Sequence, residues 1–213
     1  MKRTDEKSSH GKILDVYTAK APSCDVSLSL VRCEHRRREL EGVRNENALR
    51  EKFFVWRLLE YALEKSFGLS LDEIHPRKEE SGKWAADGVF FSLSHSDGAL
   101  AVAVSDEPCG VDIEREVPPR AKNFAKKVLN ESELREISAL SEDERVERLV
   151  ELWSMKESLF KMRGGTRFSP RDEDTSGDVT ARRVSVGGER RILSVASAIA
   201  EQIRIFTDVG DFF

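Results

Sequence analysis

The apolar positions of this chain recur at helical spacing in two long stretches, one in each half of the sequence. The first begins at Asn45 or Asn47, either of which can cap a helix, and ends at Gly68. The second covers Glu142 to Met162 and follows a capping-box pattern that starts at Ser141. The spacing therefore predicts two long amphipathic helices.

Shorter runs of alternating or β-branched apolar residues predict β-strands. In chain order they are Ile13–Tyr17, Val26–Val31, Val89–Ser94, Ala99–Val104, Cys109–Glu114, Val179–Val186, Arg190–Ala196 and Gln202–Val209. His95 to Gly98 has the composition of a hairpin turn, and Ala121 to Ser138 has a helical pattern that is interrupted near Asn130. We expect Leu71 to Asp87 to be irregular and Ser169 to Gly177 to be a mobile loop.

A turn-forming stretch near the middle of the chain, Ser105 to Pro108, suggests a domain boundary. It divides the chain into an N-terminal subdomain of residues 1–105 and a C-terminal subdomain of residues 106–213. Each part has one long helix and a few strands, so the predicted fold class is α/β (α+β) with two similar, pseudo-twofold subdomains. In each, the helix is expected to pack on a small, mainly antiparallel sheet. The cleft between them is the expected position of the active site.

The composition limits the class of protein. Of the 213 residues, 39% are hydrophobic and 35% are charged, and the net charge is −4, whereas nucleic-acid binders are usually basic. Met1 to Lys12 is polar, and no segment approaches the ~18 consecutive apolar residues of a membrane span. We therefore expect a cytoplasmic protein without nucleic-acid or membrane partners. The three cysteines form no CxxC pair, and their odd number argues against a disulfide framework.

One charged residue stands where the second long helix should bury its side chains. On a helical wheel Glu157 falls in the middle of an apolar arc formed by Val146, Leu149, Val150, Trp153 and Phe160. A buried carboxylate is costly unless a cation, a hydrogen-bond donor or a proton neutralises it. The partner is either Lys161, one turn further along, or a metal ion. The alternative is an ordinary surface ion pair between Glu157 and Lys161.

Asp112 and Glu114 lie two residues apart on a predicted strand, so both carboxylates point to the same side. Paired carboxylates suit a hard cation such as Mg²⁺, which prefers oxygen ligands. The alternative is a solvated strand end, where charged residues are common. Glu157 favours a metal site because it adds a third carboxylate on a face that is predicted to be buried.

Several basic residues could contact phosphate groups. They are Lys83 in a glycine-containing loop, His95 in the predicted hairpin turn, the run Arg36–Arg38, and Arg50. Each has an alternative explanation, since a histidine can simply be a turn residue and an arginine run is usually a solvated face. Together with the three carboxylates, they indicate an extended anionic ligand with more than one phosphate.

Three sequence blocks carry a resemblance to a known family. They are Phe91–Ser96, Gly110–Glu114 and Trp153–Lys161. In order and spacing they resemble the 4′-phosphopantetheinyl transferase superfamily, specifically its longer Sfp-like branch with two subdomains in one chain. The resemblance covers roughly residues 80 to 165. One departure is Gly82-Lys83-Trp84, where the family often has Gly-Lys-Pro.

The resemblance implies a fold of two similar subdomains with coenzyme A in the cleft and Mg²⁺ on its diphosphate. By this likeness Asp112, Glu114 and Glu157 are the metal ligands. Lys161 contacts phosphate and assists the leaving group. Glu157 is also the usual candidate for general base in the family, and the alternative base is a bound water.

The resemblance also implies contacts to the rest of coenzyme A. Ser94 and His95 meet its 3′-phosphate, and Lys83 approaches the phosphates. Arg38 and Arg50 lie where the family has basic residues near the adenosine end.

The implied reaction is transfer of the 4′-phosphopantetheine group from coenzyme A to a serine hydroxyl of an apo acyl or peptidyl carrier protein. It depends on Mg²⁺ and releases 3′,5′-ADP. The enzyme is then a phosphopantetheinyl transferase of the holo-acyl-carrier-protein synthase type, which serves fatty acid, polyketide or nonribosomal peptide biosynthesis. One alternative is a regulatory module that binds coenzyme A or a nucleotide without transferase activity. Another is a structural protein whose charged pairs are only surface salt bridges.

Two further expectations concern the partners. Carrier proteins are typically acidic near the modified serine, so the basic and apolar residues Lys122 to Lys127 and Leu129 are a candidate docking surface. Because two subdomains in one chain supply the cleft without a second copy, we expect the protein to be a monomer.

Overall fold

The computed structural model describes residues 12–116, 123–199, 202–210 and 212 of the chain. Its helices are, in chain order, α1 Glu34–Glu41, α2 Glu46–Phe67, α3 Leu71–Ile74, α4 Phe124–Val128, α5 Glu131–Ser138 and α6 Glu142–Arg163. Its strands are β1 Leu14–Lys20, β2 Arg77–Lys78, β3 Trp84–Ala85, β4 Phe90–Ser96, β5 Ala99–Ser105, β6 Cys109–Arg115, β7 Val179–Val186, β8 Glu189–Ser197 and β9 Ile203–Phe206. Both predicted long helices are present, and every predicted strand except the second corresponds to one of these strands.

The two long helices begin and end where the sequence predicts. The side chain of Asn45 accepts a hydrogen bond from a backbone N–H of the first turn, so Asn47 lies inside α2. Gly68 ends α2 in the left-handed conformation, with φ 65°. At α6, Ser141 and Glu144 form the predicted capping box. None of the helices in the described ranges is both long and apolar enough to span a membrane.

Most of the strands belong to two sheets. The first sheet has the strand order β4-β5-β1-β9 and the second has β6-β8-β7, and all neighbours are antiparallel except β1 and β9. Helix α2 packs on one face of the first sheet and α6 on one face of the second, while the other two faces share a hydrophobic core. This arrangement confirms the predicted class, in which long helices cover small, mainly antiparallel sheets. The boundary between residues 105 and 106 stays a prediction.

The segment Val26–Val31 is not the strand that its pattern predicts. Leu28–Leu30 form a 3₁₀ turn. Of the two leucines that give the pattern its alternation, Leu28 packs against the core, whereas Leu30 is exposed. Val26 and Val31 also pack against the core, but the backbone hydrogen bonds of the segment are local, from the N–H of Leu30 to the carbonyl of Ser27 and from the N–H of Val31 to the carbonyl of Leu28, so the segment is a turn and not a strand. The stretch Leu71–Asp87, predicted to be irregular, contains α3 and the short hairpin of β2 and β3.

Three serines on one face of β4 join the two sheets. Strand β4 is the edge of the first sheet and β6 is the edge of the second. The hydroxyl of Ser92 accepts from the backbone N–H of Val111 at 3.0 Å, and that of Ser94 accepts from Ile113 at 3.3 Å. Ser96 follows two residues later on the same face. These hydroxyls occupy strand edges that would otherwise present unpaired backbone groups.

The buried face of α6 differs from the one that the helical wheel predicts. Ser154, Lys156 and Ser158 are fully buried, whereas the side chain of Glu157 is 26% exposed. The reason is the close passage of β6 at Gly110, where a Cβ atom would overlap the carbonyl oxygen of Ser158. Small side chains on α6 therefore face the strand. Glu157, which was predicted to lie on the buried face, stands at the edge of the helix–sheet contact and is largely but not fully buried.

Replacing Gly110 with alanine is expected to lower the free energy of unfolding by about 2 kcal/mol. The added methyl group meets the backbone of α6, which cannot rotate away as a side chain could, so the helix must shift. Urea denaturation measures the change. Gly177→Ala is the matched control, since nothing lies within 4 Å of a Cβ atom at Gly177. A Gly110→Ala variant as stable as the wild type would contradict the close packing of α6 on β6.

Lys156 is a buried charge that the sequence patterns did not single out. Its ammonium group forms an ion pair with Glu133 at 2.8 Å and donates to the carbonyls of Pro170 at 2.8 Å and Glu173 at 3.1 Å. All three of its protons therefore have acceptors, which is the condition for burying a lysine. Two of these acceptors lie in Ser169–Gly177, so the predicted mobile loop is attached to α6 by hydrogen bonds.

Candidate functional site

The centre of the candidate site is an ion pair between β6 and α6. The Nζ atom of Lys161 lies 2.6 Å from Oδ1 of Asp112. The hydroxyl of Ser94 donates to the same oxygen at 2.8 Å, and Lys161 donates to the Ser94 oxygen at 3.1 Å. Asp112 is 1% exposed. Strand β4 of the first sheet, strand β6 of the second sheet and helix α6 therefore meet at one buried carboxylate.

Glu114 lies on the same side of β6 as Asp112 and has its own hydrogen-bond donors. The hydroxyl of Ser96 donates to Oε2 at 2.7 Å, and the indole N–H of Trp153 donates to Oε1 at 3.4 Å. Burial raises the pKa of Glu114, and the negative charge of Asp112 raises it further. The two hydrogen bonds offset part of this effect and hold the carboxylate in place.

Glu157 approaches this pair of carboxylates from α6. Its Oε2 lies 3.6 Å from Nζ of Lys161. Burial raises the pKa of Glu157 to about 7, the charges of Asp112 and Glu114 add to the rise, and Lys161 opposes it. Near neutral pH this carboxyl group is therefore close to half protonated.

The site holds more negative than positive charge. Burial lowers the pKa of Lys161, but Asp112 and Glu157 outweigh burial, so that its pKa is raised and the lysine is charged. The Oδ2 atom of Asp112 is buried and has no hydrogen-bond partner within the described residues while Glu157 is ionised. A protonated Glu157 donates to Asp112. A cation between these carboxylates would remove the need for that shared proton.

The three carboxylates have the charge and the oxygen donors to bind a divalent cation, but their side chains do not already form a coordination site. As the side chains stand, no three His, Cys, Asp or Glu residues in the described part of the chain form a metal-binding cluster. The ammonium group of Lys161 lies closest to these carboxylates and forms an ion pair with Oδ1 of Asp112. Buried oxygen donors, excess negative charge and an unpaired Oδ2 atom are nevertheless the properties that Mg²⁺ requires.

A cavity of about 290 Å³ opens beside Lys161, between β4 and α6. Its walls include Lys83 and Trp84 from the loop and strand before β4, Phe91 from β4, and Phe160 from α6. The Nζ atom of Lys83 donates to the carbonyl of Met162 at 2.7 Å, at the C-terminal end of α6, and burial lowers its pKa. The cavity has a cationic end at Lys161 and aromatic walls, which suits a phosphorylated ligand with a flat or apolar part.

Comparison with known proteins shows which family this region resembles. A family model described as the 4′-phosphopantetheinyl transferase superfamily matches residues 108–197. This segment contains Asp112, Glu114, Glu157 and Lys161. In sequence this segment is similar to that superfamily.

Individual transferases give the same result. The chain is 32% identical over 118 residues to a 4′-phosphopantetheinyl transferase of Bacillus subtilis, covering 54% of the chain and 52% of the relative. It is 29% identical over 118 residues to the transferase named Sfp of Bacillus subtilis strain 168, with the same coverage. It is also 37% identical over 83 residues to the transferase AcpT of Escherichia coli K12, covering 38% and 42%. These likenesses support the Sfp-like branch. The chain spans about half the length of the first curated relatives it matches.

His95 does not lie in the hairpin turn that we predicted. It belongs to β4, where it is paired with Leu100. The turn consists of Asp97 and Gly98 alone, and φ is positive at both. Because strand residues alternate, His95 faces α2 while Ser94 faces β6. The structure therefore brings Ser94 to the Asp112–Lys161 pair but directs His95 to the opposite face of the strand.

The basic residues that the resemblance places near the adenosine end of coenzyme A lie on two different helices. Arg38 is exposed on α1 and pairs with Glu34. The Nε atom of Arg50 is buried on α2 with no hydrogen-bond partner within the described ranges. Arg36, two residues before Arg38 in α1, is buried and lies over the ring of Trp56. The run Arg36–Arg38 is therefore partly structural, and the roles of Arg38 and Arg50 as ligand contacts stay predictions.

The predicted docking surface for a carrier protein needs one correction. Leu129 is fully buried in a core cluster beneath α4 and α6, so it cannot contact a partner. Its burial follows from the break between α4 and α5, which turns this apolar residue inward. Lys126 and Lys127 are exposed, whereas Lys122 lies outside the described residues.

The sequence did not reveal the role of some side chains that hold the candidate site in place. Ser96 and Trp153 orient Glu114, and Glu51 of α2 contacts His95. The serine spacing at 92, 94 and 96 was a usable signal, because hydroxyls at period two in an otherwise apolar strand need partners on one face. Glu51 gave no such signal, since a glutamate near the start of a helix is ordinary.

Proposed function

We propose that this protein transfers the 4′-phosphopantetheine group of coenzyme A to a serine hydroxyl of an apo acyl or peptidyl carrier protein in the cytoplasm, with release of 3′,5′-ADP. One observation carries the proposal. Asp112, Glu114 and Glu157 surround Lys161, which lines a cavity, and all four residues lie in the segment that matches the superfamily. Both walls of the cavity come from one chain, which supports action as a monomer.

In this proposal Asp112, Glu114 and Glu157 would hold Mg²⁺. The buried Oδ2 atom of Asp112 and the raised pKa values of the two glutamates support that role, since each indicates that positive charge is lacking. When bound, the ion supplies positive charge that offsets the diphosphate of the substrate. Ser96 and Trp153 keep Glu114 oriented towards this position.

The residues of the chain then perform the transfer as follows. The hydroxyl oxygen of the carrier serine attacks the β-phosphorus of coenzyme A, and the bond from that phosphorus to the bridging oxygen breaks, so that 3′,5′-ADP leaves. Lys161, which is held charged by its carboxylate neighbours, neutralises charge on the phosphates. The serine proton must pass to a base near the carboxylates. Aromatic side chains at Trp84, Phe91 and Phe160 line the adjoining cavity.

Mass spectrometry of carrier proteins tests the proposal. Incubation with coenzyme A, Mg²⁺ and several apo carriers should add the mass of one phosphopantetheine group to at least one carrier. Folded protein that modifies none of them, with a known transferase as the positive control, would overturn the proposal. Thermal stabilisation by coenzyme A in the absence of any product would instead support a regulatory module that binds the ligand without transfer.

Replacing Ser96 with alanine is expected to raise the Mg²⁺ concentration needed for half-maximal transfer by about tenfold. The substitution removes the hydrogen bond that lowers the pKa of Glu114, so this carboxylate becomes a poorer ligand. Titration of activity and of thermal stability with Mg²⁺ measures the effect. Ser105→Ala is the control, because Ser105 lies at the end of the neighbouring strand β5 and its hydroxyl bonds to the backbone of Ile13 and Glu107. Equal changes in both variants would show that Ser96 has no specific role.

A further inference from the structure

Glu51 contacts the motif histidine with one carboxylate oxygen and the adjacent hairpin turn with the other. Its Oε2 lies 2.8 Å from Nδ1 of His95, and its Oε1 accepts from the backbone N–H of Gly98 at 2.6 Å. The side chain of Glu51 is 16% exposed and that of His95 is 29% exposed. With both oxygens engaged and little solvent around it, the carboxylate has one orientation available.

The charges around this pair keep Glu51 ionised. Its hydrogen bond with His95 lowers the pKa of Glu51, the N–H of Gly98 and the charge of Arg191 lower it further, and burial only partly opposes them. An ionised carboxylate can only accept hydrogen bonds. The nitrogen 2.8 Å away must therefore carry a proton, which places the ring of His95 in the Nδ1–H form.

The turn that carries this arrangement is itself held by the second sheet. Arg191 of β8, which is buried, donates to the carbonyl of Asp97 at 3.1 Å, and Arg115 of β6 pairs with the Asp97 carboxylate at 2.7 Å. Gly98 is bound to Glu51 from the other side. Elements of both sheets and α2 thus fix the end of β4, so the ring of His95 is attached to a rigid support.

The second nitrogen of the ring, Nε2, has no hydrogen-bond partner among the residues that the structure describes, and the ring is partly exposed. Because Nδ1 already carries a proton, the second proton of a charged ring must lie on Nε2, where it is a donor. A ring held in this way presents one directed donor to an oxyanion, with the carboxylate behind it balancing its charge.

We propose that Glu51 is a positioning residue for His95: it holds the ring with Nδ1 towards α2, so that Nε2 is the nitrogen that meets a phosphate group of the ligand. This inference rests on the proposed function for the identity of the ligand, coenzyme A. It adds a residue outside the three motif blocks to the binding of that ligand, and it explains why His95 faces away from Asp112.

Nuclear magnetic resonance of histidine labelled in its ring nitrogens tests the first half of the proposal. At a pH where the ring is neutral, His95, assigned by its loss in His95→Ala, is expected in the Nδ1–H form. In Glu51→Ala it should change to the Nε2–H form, which is favoured in the absence of a partner. An Nε2–H ring in the wild-type protein would overturn the proposal.

Calorimetry with coenzyme A and steady-state kinetics test the second half. Glu51→Gln and His95→Ala should each weaken coenzyme A binding about tenfold, raising KM with little change in kcat. The double variant should bind no more weakly than His95→Ala alone, since Glu51 acts through the ring. Glu64→Gln, an exposed substitution on the same helix, should bind as the wild type does. Losses that multiply in the double variant would contradict the proposal.

The two experiments distinguish a failure of this inference from a failure of the proposed function. If the wild-type protein does not bind coenzyme A, the proposed ligand is wrong, yet the ring form in the wild type and in Glu51→Ala still decides whether Glu51 positions His95. If coenzyme A binds and is transferred but the ring form is insensitive to Glu51→Ala, the function stands and the role of Glu51 is rejected.

Discussion

Replacing Asp112 with asparagine is expected to reduce the rate of phosphopantetheine transfer by about a thousandfold. The amide keeps the size of the side chain and can still accept from Lys161 and Ser94 through one oxygen. It removes the negative charge and the unpaired Oδ2 atom that make this position suitable for a cation. The variant should therefore fold and lose activity through loss of the metal site rather than through loss of structure.

The comparison that tests this expectation uses transfer rates at saturating Mg²⁺, together with circular dichroism to verify folding. Asp25→Asn serves as the matched control, because Asp25 is exposed and far along the chain from the motifs. Retention of Mg²⁺-dependent turnover in Asp112→Asn would remove Asp112 from the site. If Asp112→Asn does not fold, Asp112→Glu tests the need for negative charge at this position. This variant restores the carboxylate and should recover part of the activity.

In the absence of divalent cations, the protein is expected to lose stability as the pH rises from 4.5 to 7. The pKa of Glu157 is raised from 4.5 to about 7 in the folded protein. The folded state therefore binds more protons than the unfolded state in this range, so the free energy of unfolding falls with pH and levels off above the folded pKa. The total contribution of this group is on the order of 3 kcal/mol.

Urea denaturation of the wild type and of Glu157→Gln, both with a chelator at pH 5 and pH 8, measures the effect. Glutamine cannot ionise, so the variant should lose much less stability than the wild type between these pH values and should be the more stable protein at pH 8. Addition of Mg²⁺ at pH 8 should stabilise the wild type more than the variant, since the ion replaces the proton between the carboxylates. Identical pH profiles for the two proteins would show that Glu157 is not in this environment.

The local elements were predictable because their signals are local. Asn45 and Gly68 bound α2, and Ser141 with Glu144 opens α6, since caps satisfy backbone groups within one turn of the chain. The prediction of a strand at Val26–Val31 was wrong because the alternation of its residues does not show whether a neighbouring strand is available for pairing. Periodicity describes a segment, whereas strand formation needs a partner.

The candidate site was predictable in its residues but only partly in its surroundings. Asp112, Glu114 and Lys161 meet as expected, since spacing along β6 and α6 determines which side chains share a face. The setting of Glu157 was only partly predicted, because the wheel assumed a bulky apolar contact, while Gly110 lets β6 approach the backbone of α6 at Ser158 and Met162. His95 was placed in a turn because the predicted strand ended at Ser94, whereas β4 continues for two more residues to Ser96.

The pairing of β9 with β1 bears on how the chain folds during synthesis. Arg204 of β9 forms a bidentate pair with Asp15 of β1, although 189 positions separate them in the sequence. Strand β1 therefore leaves the ribosome long before its parallel neighbour has been made, and closing such a distance is slow. Until then the edge of β1 is open to other chains. We expect the first sheet to be completed last, so that early arrest of translation yields an aggregation-prone nascent chain.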